Sequence, residues 1–385
     1  MKLTLKVIGY ILLVATSLYP AEFGEHEFSF TSSYDGTNQL ACAYIPESYQ
    51  GKPAPLLVVA HYLNGNRFTA RTSGYYPECE KRGWLLVCPE LHGKDTEGQT
   101  SFAAIGAQHD VLDAIAWARK NYNVDQTRVY LVGRSMGGLL TAVTAAKHPH
   151  IFAAAVAGQP ITDLKAWVKE NPRLAPFLER ECGPLTRKTE FEYARRSPIN
   201  YAINFRYVPL TLWHGTEDQV VLPAHSLRLY QAIKKTWAFQ ENVFWLAGAG
   251  HNAANFTAAW VCDRLQYYQN TSDTKTLLKT RFFHQLNFVT DEAGDFFWLR
   301  VEPASPGKFA RVKSELNGNK IFLETTNIAR VDIKTDGLPK DTKLTSASVI
   351  TDLPGELRLT SAGNIVWTIL VKKGKNREFF LPLEN

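Results

Sequence analysis

One serine in this sequence has the neighbours that a catalytic nucleophile requires. Ser135 lies in Gly133-Arg134-Ser135-Met136-Gly137, between an apolar run typical of a buried strand and a segment with helical periodicity. In that context the chain forms a turn so tight that side chains at the two glycine positions would collide. The turn lifts the serine hydroxyl above the sheet, and the free N–H groups of the next helix face developing negative charge. The pattern predicts covalent catalysis by Ser135.

A serine hydroxyl is a weak nucleophile at its ordinary pKa, so it needs a base, and the base needs an acid that orients it. Asp218 lies in the loop after the apolar run 208–213. His251 ends the glycine-rich loop that follows the next strand-like run, 242–246. We therefore predict Asp218 as the orienting acid and His251 as the base.

Other acids and histidines near predicted strand ends compete for these roles. Glu217 and Asp163 are the alternative acids, and a solvated surface position is the alternative interpretation of His251. His214 and His61 also end strand-like runs, and we interpret them as structural residues that hydrogen-bond within their loops. The remaining histidines near the site motifs are predicted to be surface or loop residues: His92, His148 and His150.

The tetrahedral intermediate of acyl transfer needs N–H donors, each contributing about 2.7–4 kcal/mol in the transition state. One donor is expected from Met136, directly after the nucleophile. The other is expected from the loop 61–65, His-Tyr-Leu-Asn-Gly, where we favour the backbone N–H of Leu63. The hydroxyl of Tyr62 is the alternative, and Tyr62 is also predicted to contact the substrate.

The elements that must position these residues alternate between strand and helix up to about residue 272. Such alternation predicts a mostly parallel sheet flanked by helices. The run 55–61 is continuously apolar, as a strand buried on both faces should be, and a helix is predicted over 110–122, beginning at Asp110. Further strands are predicted over 83–89, 128–133, 152–158, 208–214 and 242–246, and further helices over 139–147 and 258–268.

Two segments depart from this alternation. Residues 163–201 are rich in charge, proline and aromatic side chains, and we predict a cap-like helical insertion there. After residue 272 the helical pattern gives way to short runs separated by turn sequences. We predict an α/β domain over 22–272 and a smaller all-β, sandwich-like domain over 273–385. Its strand-like runs are 288–289, 296–301, 311–316, 320–325, 329–333, 356–360 and 364–371.

As an ordered set, the motifs resemble the α/β-hydrolase family. The closer resemblance is to its secreted esterase and prolyl-oligopeptidase branch, with polyhydroxybutyrate-depolymerase-like and feruloyl-esterase-like enzymes. It covers roughly residues 50–265 and rests on His61-Tyr62-Leu63, the turn at Ser135, Ser197-Pro198-Ile199-Asn200-Tyr201, the segment 214–221 and Gly250-His251. It implies the family's fold and its order of serine, acid and histidine, without a cofactor. Tyr62 departs from the glycine usual at that position, which affects the second oxyanion donor.

The N-terminus has the composition of an export signal. Lys2 and Lys6 precede the apolar run 7–15, and small residues at 15–17 and at Ala21 offer cleavage sites. The run is too short to span a bilayer. We expect a signal peptide over 1–21, no membrane span, and a secreted or periplasmic location.

Charge and cysteine content argue against some classes of partner and ligand. The formal net charge is +6, but the basic residues are scattered, so no nucleic-acid partner is expected. The five cysteines form no CxxC motif or Cys/His cluster, and no metal site is predicted. Five is an odd number, so at least one thiol is expected to be unpaired within the chain.

These observations predict a serine hydrolase that cleaves carboxylic esters through an acyl-enzyme, on a small-molecule or polysaccharide-linked substrate such as an acyl or feruloyl ester. A serine peptidase of the prolyl-oligopeptidase type has the same triad and is the first alternative. An inactive binding protein on a hydrolase scaffold is the second. The C-terminal domain either binds carbohydrate or packs on the catalytic domain, and we favour packing. The sequence leaves the oligomeric state open.

Overall fold

The structure is a computed structural model that describes residues 23–93, 101–236, 242–252, 256–270, 284–339 and 342–381. The predicted signal peptide, residues 1–21, and the predicted domain boundary at 272–273 lie outside these ranges. Among the described helices, none combines the length and the apolar character that crossing a bilayer requires.

An eight-stranded sheet organises the first part of the chain. Its order is β1-β2-β4-β3-β5-β6-β7-β8, with β1, β2 and β4 antiparallel to their neighbours in that order and every pair from β4-β3 onward parallel. The carboxyl ends of the parallel strands therefore meet at one edge. The strands are β1 (Gly24–Thr31), β2 (Asn38–Ile45), β3 (Ala54–Ala60), β4 (Leu85–Pro89), β5 (Val124–Arg134), β6 (Ala154–Gly158), β7 (Leu210–Gly215) and β8 (Val243–Leu246).

Helices cover both faces of this sheet. They are α1 (Thr69–Thr72), α2 (Tyr75–Arg82), α3 (Ile105–Asn121), α4 (Met136–Lys147), α5 (Leu164–Glu170), α6 (Ala175–Cys182), α7 (Glu190–Arg195), the 3-10 helix Pro198–Arg206, α8 (Ala224–Thr236) and α9 (Ala258–Asn270). Because successive side chains of a strand point to opposite faces, Leu56 and Val58 join the core beneath α3 and α4. Leu57 and Val59 join the core beneath α2 and α9. The continuous apolar run of β3 is thus buried on both sides, as predicted.

The second part of the chain consists of two five-stranded sheets. Their orders are β10-β11-β14-β16-β17 and β18-β15-β13-β12-β9. The strands are β9 (Gln285–Thr290), β10 (Gly294–Phe296), β11 (Leu299–Pro303), β12 (Ala310–Asn317), β13 (Lys320–Thr326), β14 (Ile328–Lys334), β15 (Ser346–Thr351), β16 (Gly355–Ser361), β17 (Asn364–Val371) and β18 (Gly374–Phe380). Burial alternates strictly along β12, so one face of that strand packs on an apolar core of its own, which contains Trp298. A mainly parallel sheet flanked by helices and followed by a smaller β-rich domain confirms the predicted fold class.

Buried polar contacts join the two parts. Asp291, which follows β9, lies 2.9 Å from Lys147 Nζ and 2.7 Å from Arg195 Nε, and it accepts a 2.6 Å hydrogen bond from the Tyr201 hydroxyl. The Asn204 side chain exchanges two hydrogen bonds with the backbone of Val289, at 2.8 and 2.9 Å. These contacts attach β9 to α4, to the end of α7 and to the 3-10 helix that follows it.

Several predicted boundaries were wrong. Helix α3 begins at Ile105, five residues before the predicted start at Asp110. The Asp110 carboxylate does not cap the helix; it accepts the backbone N–H of His92. The predicted strand over 296–301 is two strands, because the chain turns at Phe297, which has a positive φ of 55°. Strands β1, β2, β15 and β18 were not predicted. The segment 163–201 is helical in pieces, as predicted, in α5, α6 and α7; its role as a cap stays a prediction.

All five cysteines lie in the described residues, and all are free, buried thiols. Cys42 on β2 faces Cys88 on β4 across the antiparallel pair. Burial raises the pKa of the Cys262 thiol to about 12 and that of Cys182 to about 11.

Candidate active site

Ser135 lies at the turn between β5 and α4, in a backbone conformation that side chains rarely adopt. Its φ and ψ are 57° and −120°, a region that costs about 1–3 kcal/mol. The turn is tight enough to require both glycines: a Cβ on Gly133 would lie 2.4 Å from the carbonyl oxygen of Gly137, and one on Gly137 would lie 2.2 Å from that of Ala60. The Ser135 N–H donates to Gly158 O at 2.8 Å, which ties the strained residue to β6.

His251 reaches Ser135 from the loop after β8. Its Nε2 lies 3.0 Å from Ser135 Oγ, and its Nδ1 lies 2.7 Å from Asp218 Oδ2. Since a carboxylate only accepts hydrogen bonds, Nδ1 carries the proton, and Nε2 is left to accept from the serine hydroxyl. The Gln159 side-chain amide donates to Gly250 O at 3.2 Å and so helps to fix the glycine-rich loop that carries His251.

Asp218 is fully buried, and its carboxylate is held by short contacts. Oδ1 accepts the backbone N–H groups of Val220 and Val221, each at 2.9 Å, while Oδ2 faces His251 and lies 3.4 Å from His214 Nε2. Burial alone would raise the pKa of Asp218, but hydrogen bonds from the two histidines and from the Val221 N–H lower it well below its usual range. The carboxylate therefore remains ionised and can stabilise a positive charge on the imidazole.

The competing acids, Glu217 and Asp163, form no hydrogen bond with His251 in the part of the chain that the structure describes. Glu217 is exposed, and its backbone N–H donates to Ala249 O at 3.0 Å. Asp163 caps α5, where its Oδ1 accepts the N–H groups of Lys165 and Ala166 at 3.0 and 3.1 Å. Of the three predicted acids, Asp218 is the one that the geometry brings to the imidazole.

The other histidines at strand ends each bond to their own loop and to one neighbouring segment. His214 lies 2.7 Å from Val221 O through Nε2 and 2.8 Å from Ser226 Oγ through Nδ1. His61 lies 2.9 Å from Tyr62 O through Nδ1, and its Nε2 accepts the Leu91 N–H at 3.2 Å. His214 thus helps to hold the loop that carries Asp218, and His61 shapes the loop after β3.

His92 was predicted as a surface or loop residue; it lies in the loop after β4, but the prediction of a surface position was wrong. The side chain is buried, with Nδ1 2.7 Å from Asp110 Oδ2, and the His92 backbone N–H donates to the same oxygen at 2.8 Å. The aspartate lies on α3, eighteen residues away, so no local pattern signals the pair. The two other histidines, His148 and His150, are partly buried in the loop after α4.

The residues predicted to stabilise the oxyanion lie on two segments that contact each other. Met136 begins α4, so its N–H is among those that the helix leaves unbonded. The loop 62–65 forms a turn in which the Gly65 N–H donates to Tyr62 O at 2.8 Å. Because C=O and N–H point in opposite directions across a trans peptide, the N–H of Leu63 points away from this turn. The close approach of Gly137 to Ala60 packs the start of α4 against the segment that leads into this loop.

The parallel sheet, with a serine at the strand–helix turn after β5 and loops bearing an acid and a histidine after β7 and β8, defines the α/β-hydrolase class. The sequence model of the prolyl oligopeptidase family matches residues 80–275, about half of the chain. The chain belongs to this family and is a serine hydrolase.

Named relatives include two fungal esterases. Acetylxylan esterase A of Aspergillus oryzae is 30% identical over 121 residues, which cover 30% of this chain and 39% of the relative. Feruloyl esterase B of Talaromyces stipitatus is 26% identical over 228 residues, 56% of this chain and 62% of the relative. The chain thus spans less than two thirds of each of these relatives. A puromycin-hydrolyzing peptidase of Mycobacterium tuberculosis has a similar fold over 64% of this chain and 39% of its own, with a TM-score of 0.53 and 20% identity.

Proposed function

We propose that this serine hydrolase cleaves carboxylic esters, with Ser135 as nucleophile, His251 as base and Asp218 as the orienting acid. The observation that supports this assignment most directly is the hydrogen-bonded series from Ser135 Oγ through the imidazole to the buried carboxylate, at 3.0 and 2.7 Å. Both distances are within the range for proton transfer and for orientation of the base.

The reaction proceeds in two halves. Ser135 Oγ attacks the ester carbonyl carbon as His251 Nε2 takes the hydroxyl proton, and the imidazolium then returns that proton to the departing alcohol. In the second half a water molecule gives a proton to the same nitrogen and attacks the acyl carbonyl carbon. The bond to Ser135 Oγ then breaks, the imidazolium returns its proton to Oγ, and the carboxylic acid is released. Asp218 remains ionised throughout and stabilises the imidazolium at each stage.

We assign the stabilisation of the negative charge on the carbonyl oxygen to two backbone N–H groups, those of Met136 and Leu63. The strained turn supports the first assignment, because it places the unbonded N–H groups at the start of α4 beside the nucleophile. The orientation of the Leu63 peptide supports the second. Tyr62, in the same loop, is assigned to contact with the substrate.

Ester specificity is supported by the names of the two fungal relatives, an acetylxylan esterase and a feruloyl esterase. We propose acyl esters as the substrate class, either small molecules or groups linked to polysaccharide. Peptide hydrolysis is the second candidate, because the family to which the chain belongs is named after a peptidase.

Parallel assays separate these two activities. Hydrolysis of p-nitrophenyl acetate should exceed that of alanyl p-nitroanilide, and Ser135→Ala should abolish it. The exposed Ser33, which bonds to His109 instead, provides the matched control Ser33→Ala. Anilide cleavage as fast as ester cleavage would favour the peptidase, and Ser135→Ala with wild-type rates would refute the triad. A panel of acetyl, feruloyl and longer acyl esters would then define the acyl group.

We further propose that the chain is exported to the periplasm or secreted after removal of residues 1–21, and that its domains are 22–272 and 273–385. The second part has an apolar core to which the first part contributes Tyr207, and this core supports that division. Mass determination of the protein recovered from the extracellular and periplasmic fractions tests the cleavage. An intact N-terminus in both fractions, or protein found in neither, would contradict it.

A further inference from the structure

A cavity of about 650 Å³ adjoins the proposed nucleophile. It opens among the ends of β3, β5, β6 and β7, the segment containing α1 and α2, and the start of α9. Gly133 and Arg134, the two residues before Ser135, form part of its wall. Aromatic side chains form much of the rest: Tyr62, Tyr75, Trp213 and Phe256. A ligand group in this cavity would contact the two residues that lead directly into the nucleophile.

Arg134 contributes a positive charge to this aromatic wall. Its guanidinium carbon lies 5.5 Å from the centroid of the Tyr62 ring, and the side chain is partly exposed. A guanidinium that contacts a ring through its face keeps its N–H edge available for an anion. Tyr62 thereby restricts the guanidinium without occupying its hydrogen-bond donors.

Two neighbouring arginines, unlike Arg134, are paired with carboxylates. Arg71 also lies over an aromatic ring, but it pairs with Glu25 at 2.8 Å. Arg82 contacts Glu78, which is the acidic residue in the cavity wall. Within the described ranges, no carboxylate forms an ion pair with Arg134. Its charge is therefore directed at the cavity.

We propose that Arg134 binds a carboxylate carried by the ester, so that the preferred substrates have an acidic group close to the scissile bond. This inference rests on the proposed ester hydrolysis at Ser135. The fork of guanidinium N–H groups matches the two oxygens of a carboxylate, and the aromatic walls suit the apolar atoms that connect it to the ester. Arg134 then selects the substrate, whereas the triad performs the chemistry.

The test compares two esters that differ in charge. Mono-p-nitrophenyl glutarate carries a free carboxylate, and p-nitrophenyl methyl glutarate has the same chain in neutral form. Arg134→Gln should reduce kcat/KM for the anionic ester about 10- to 100-fold, mainly through KM. The neutral ester should be affected much less. Arg134→Lys should retain part of the preference, because it keeps the charge but loses the fork. Arg71→Gln is the control, and both rates should stay at wild-type values.

Equal losses on both esters would overturn the inference, because they would indicate a structural role for Arg134. If the wild type shows no Ser135-dependent hydrolysis of either ester, the proposed function fails instead, and binding is measured separately. Glutarate should then raise the Tm of the Ser135→Ala protein but not that of the Ser135→Ala, Arg134→Gln double variant. A Tm unaffected by glutarate, or raised equally in both, would exclude a carboxylate site at Arg134.

Discussion

Two buried aspartates have different roles in two regions of the molecule. Asp218, at the carboxyl edge of the first sheet, is bonded by backbone N–H groups and by a histidine. Asp291, at the junction with the β-rich part, is bonded by Lys147, Arg195 and the Tyr201 hydroxyl. Both carboxylates have a pKa below the usual range in spite of burial, which alone would raise it.

The two aspartates differ in the cationic side chains that surround them. Lysine and arginine remain charged throughout the physiological pH range, so the group around Asp291 has one protonation state and serves to fix an interface. Histidine gains and loses a proton near neutral pH, so the group around Asp218 can pass through the states that catalysis needs. The same buried carboxylate thus supports stability in one region and proton transfer in the other.

The largest expected effect is that of Asp218→Asn. The amide keeps the shape of the carboxylate but favours the wrong histidine tautomer, and kcat for p-nitrophenyl acetate should fall about 10⁴-fold. Steady-state kinetics with circular dichroism as a check on folding measures this. A loss smaller than tenfold would show that another acid orients His251, and Glu217→Gln is the matched comparison.

Asp291→Ala should act on stability instead. Removing Asp291 leaves the buried Lys147 and the partly buried Arg195 with Glu292 as their remaining shared carboxylate, so the free energy of unfolding should fall by about 3 kcal/mol. The kcat of the folded protein should be retained. Urea unfolding measures the change, with Glu324→Ala, at an exposed ion pair with Lys313, as the control that should stay within about 1 kcal/mol of the wild type. A full loss of kcat in folded Asp291→Ala would remove the distinction between the two regions.

Low pH should destabilise the protein because His225, in the α/β part of the chain, becomes protonated. This residue is fully buried, its Nδ1 accepts the Thr162 N–H at 3.2 Å, and its Nε2 lies 2.8 Å from Glu170. Burial lowers its pKa to about 4, whereas the unfolded chain takes up a proton near pH 6.5. Stability should therefore fall as the pH decreases from about 6.5 to 4, by about 2 kcal/mol between pH 7 and pH 5.

Urea titrations at the two pH values, with His225→Gln for comparison, measure this loss. The variant should show a smaller pH dependence, because it has no group there to protonate. Asp291 should contribute little over the same interval, since a carboxylate with a lowered pKa loses its stabilising charge only below about pH 4. An unchanged slope in the variant would assign the acid sensitivity to other groups.

The smallest effect is expected for Tyr62→Phe. If the Leu63 N–H is the second oxyanion donor, kcat on a neutral ester should change less than about threefold. Loss of a true donor costs about 10²–10³-fold, so a decrease of that size would assign the role to the Tyr62 hydroxyl. Pre-steady-state measurement of acylation distinguishes the two.

The sequence predicted which side chains meet at the edge of the sheet better than it predicted the boundaries of the elements around them. Ser135, Asp218 and His251 each follow a short apolar strand, and parallel strands bring such loops to one edge. Strand β1 escaped prediction because it lies at the edge of the sheet, where Phe30 is its one buried residue and polar side chains predominate. The ion pairs of Asp291 and the contact of His92 with Asp110 depend on residues distant in the chain, which composition and periodicity do not reveal.

The buried thiols have a consequence for the period before the protein is folded. A thiol reacts as its thiolate, so cysteines with raised pKa values and no contact with solvent resist oxidation once the core has formed. In an oxidising compartment, where the proposed export would bring the chain, the same five groups of the unfolded chain would be accessible, and each could form a disulfide that the native core has no place for. Because Cys42 and Cys88 are partners in the register of β2 and β4, early pairing of these strands would shield both thiols in one step.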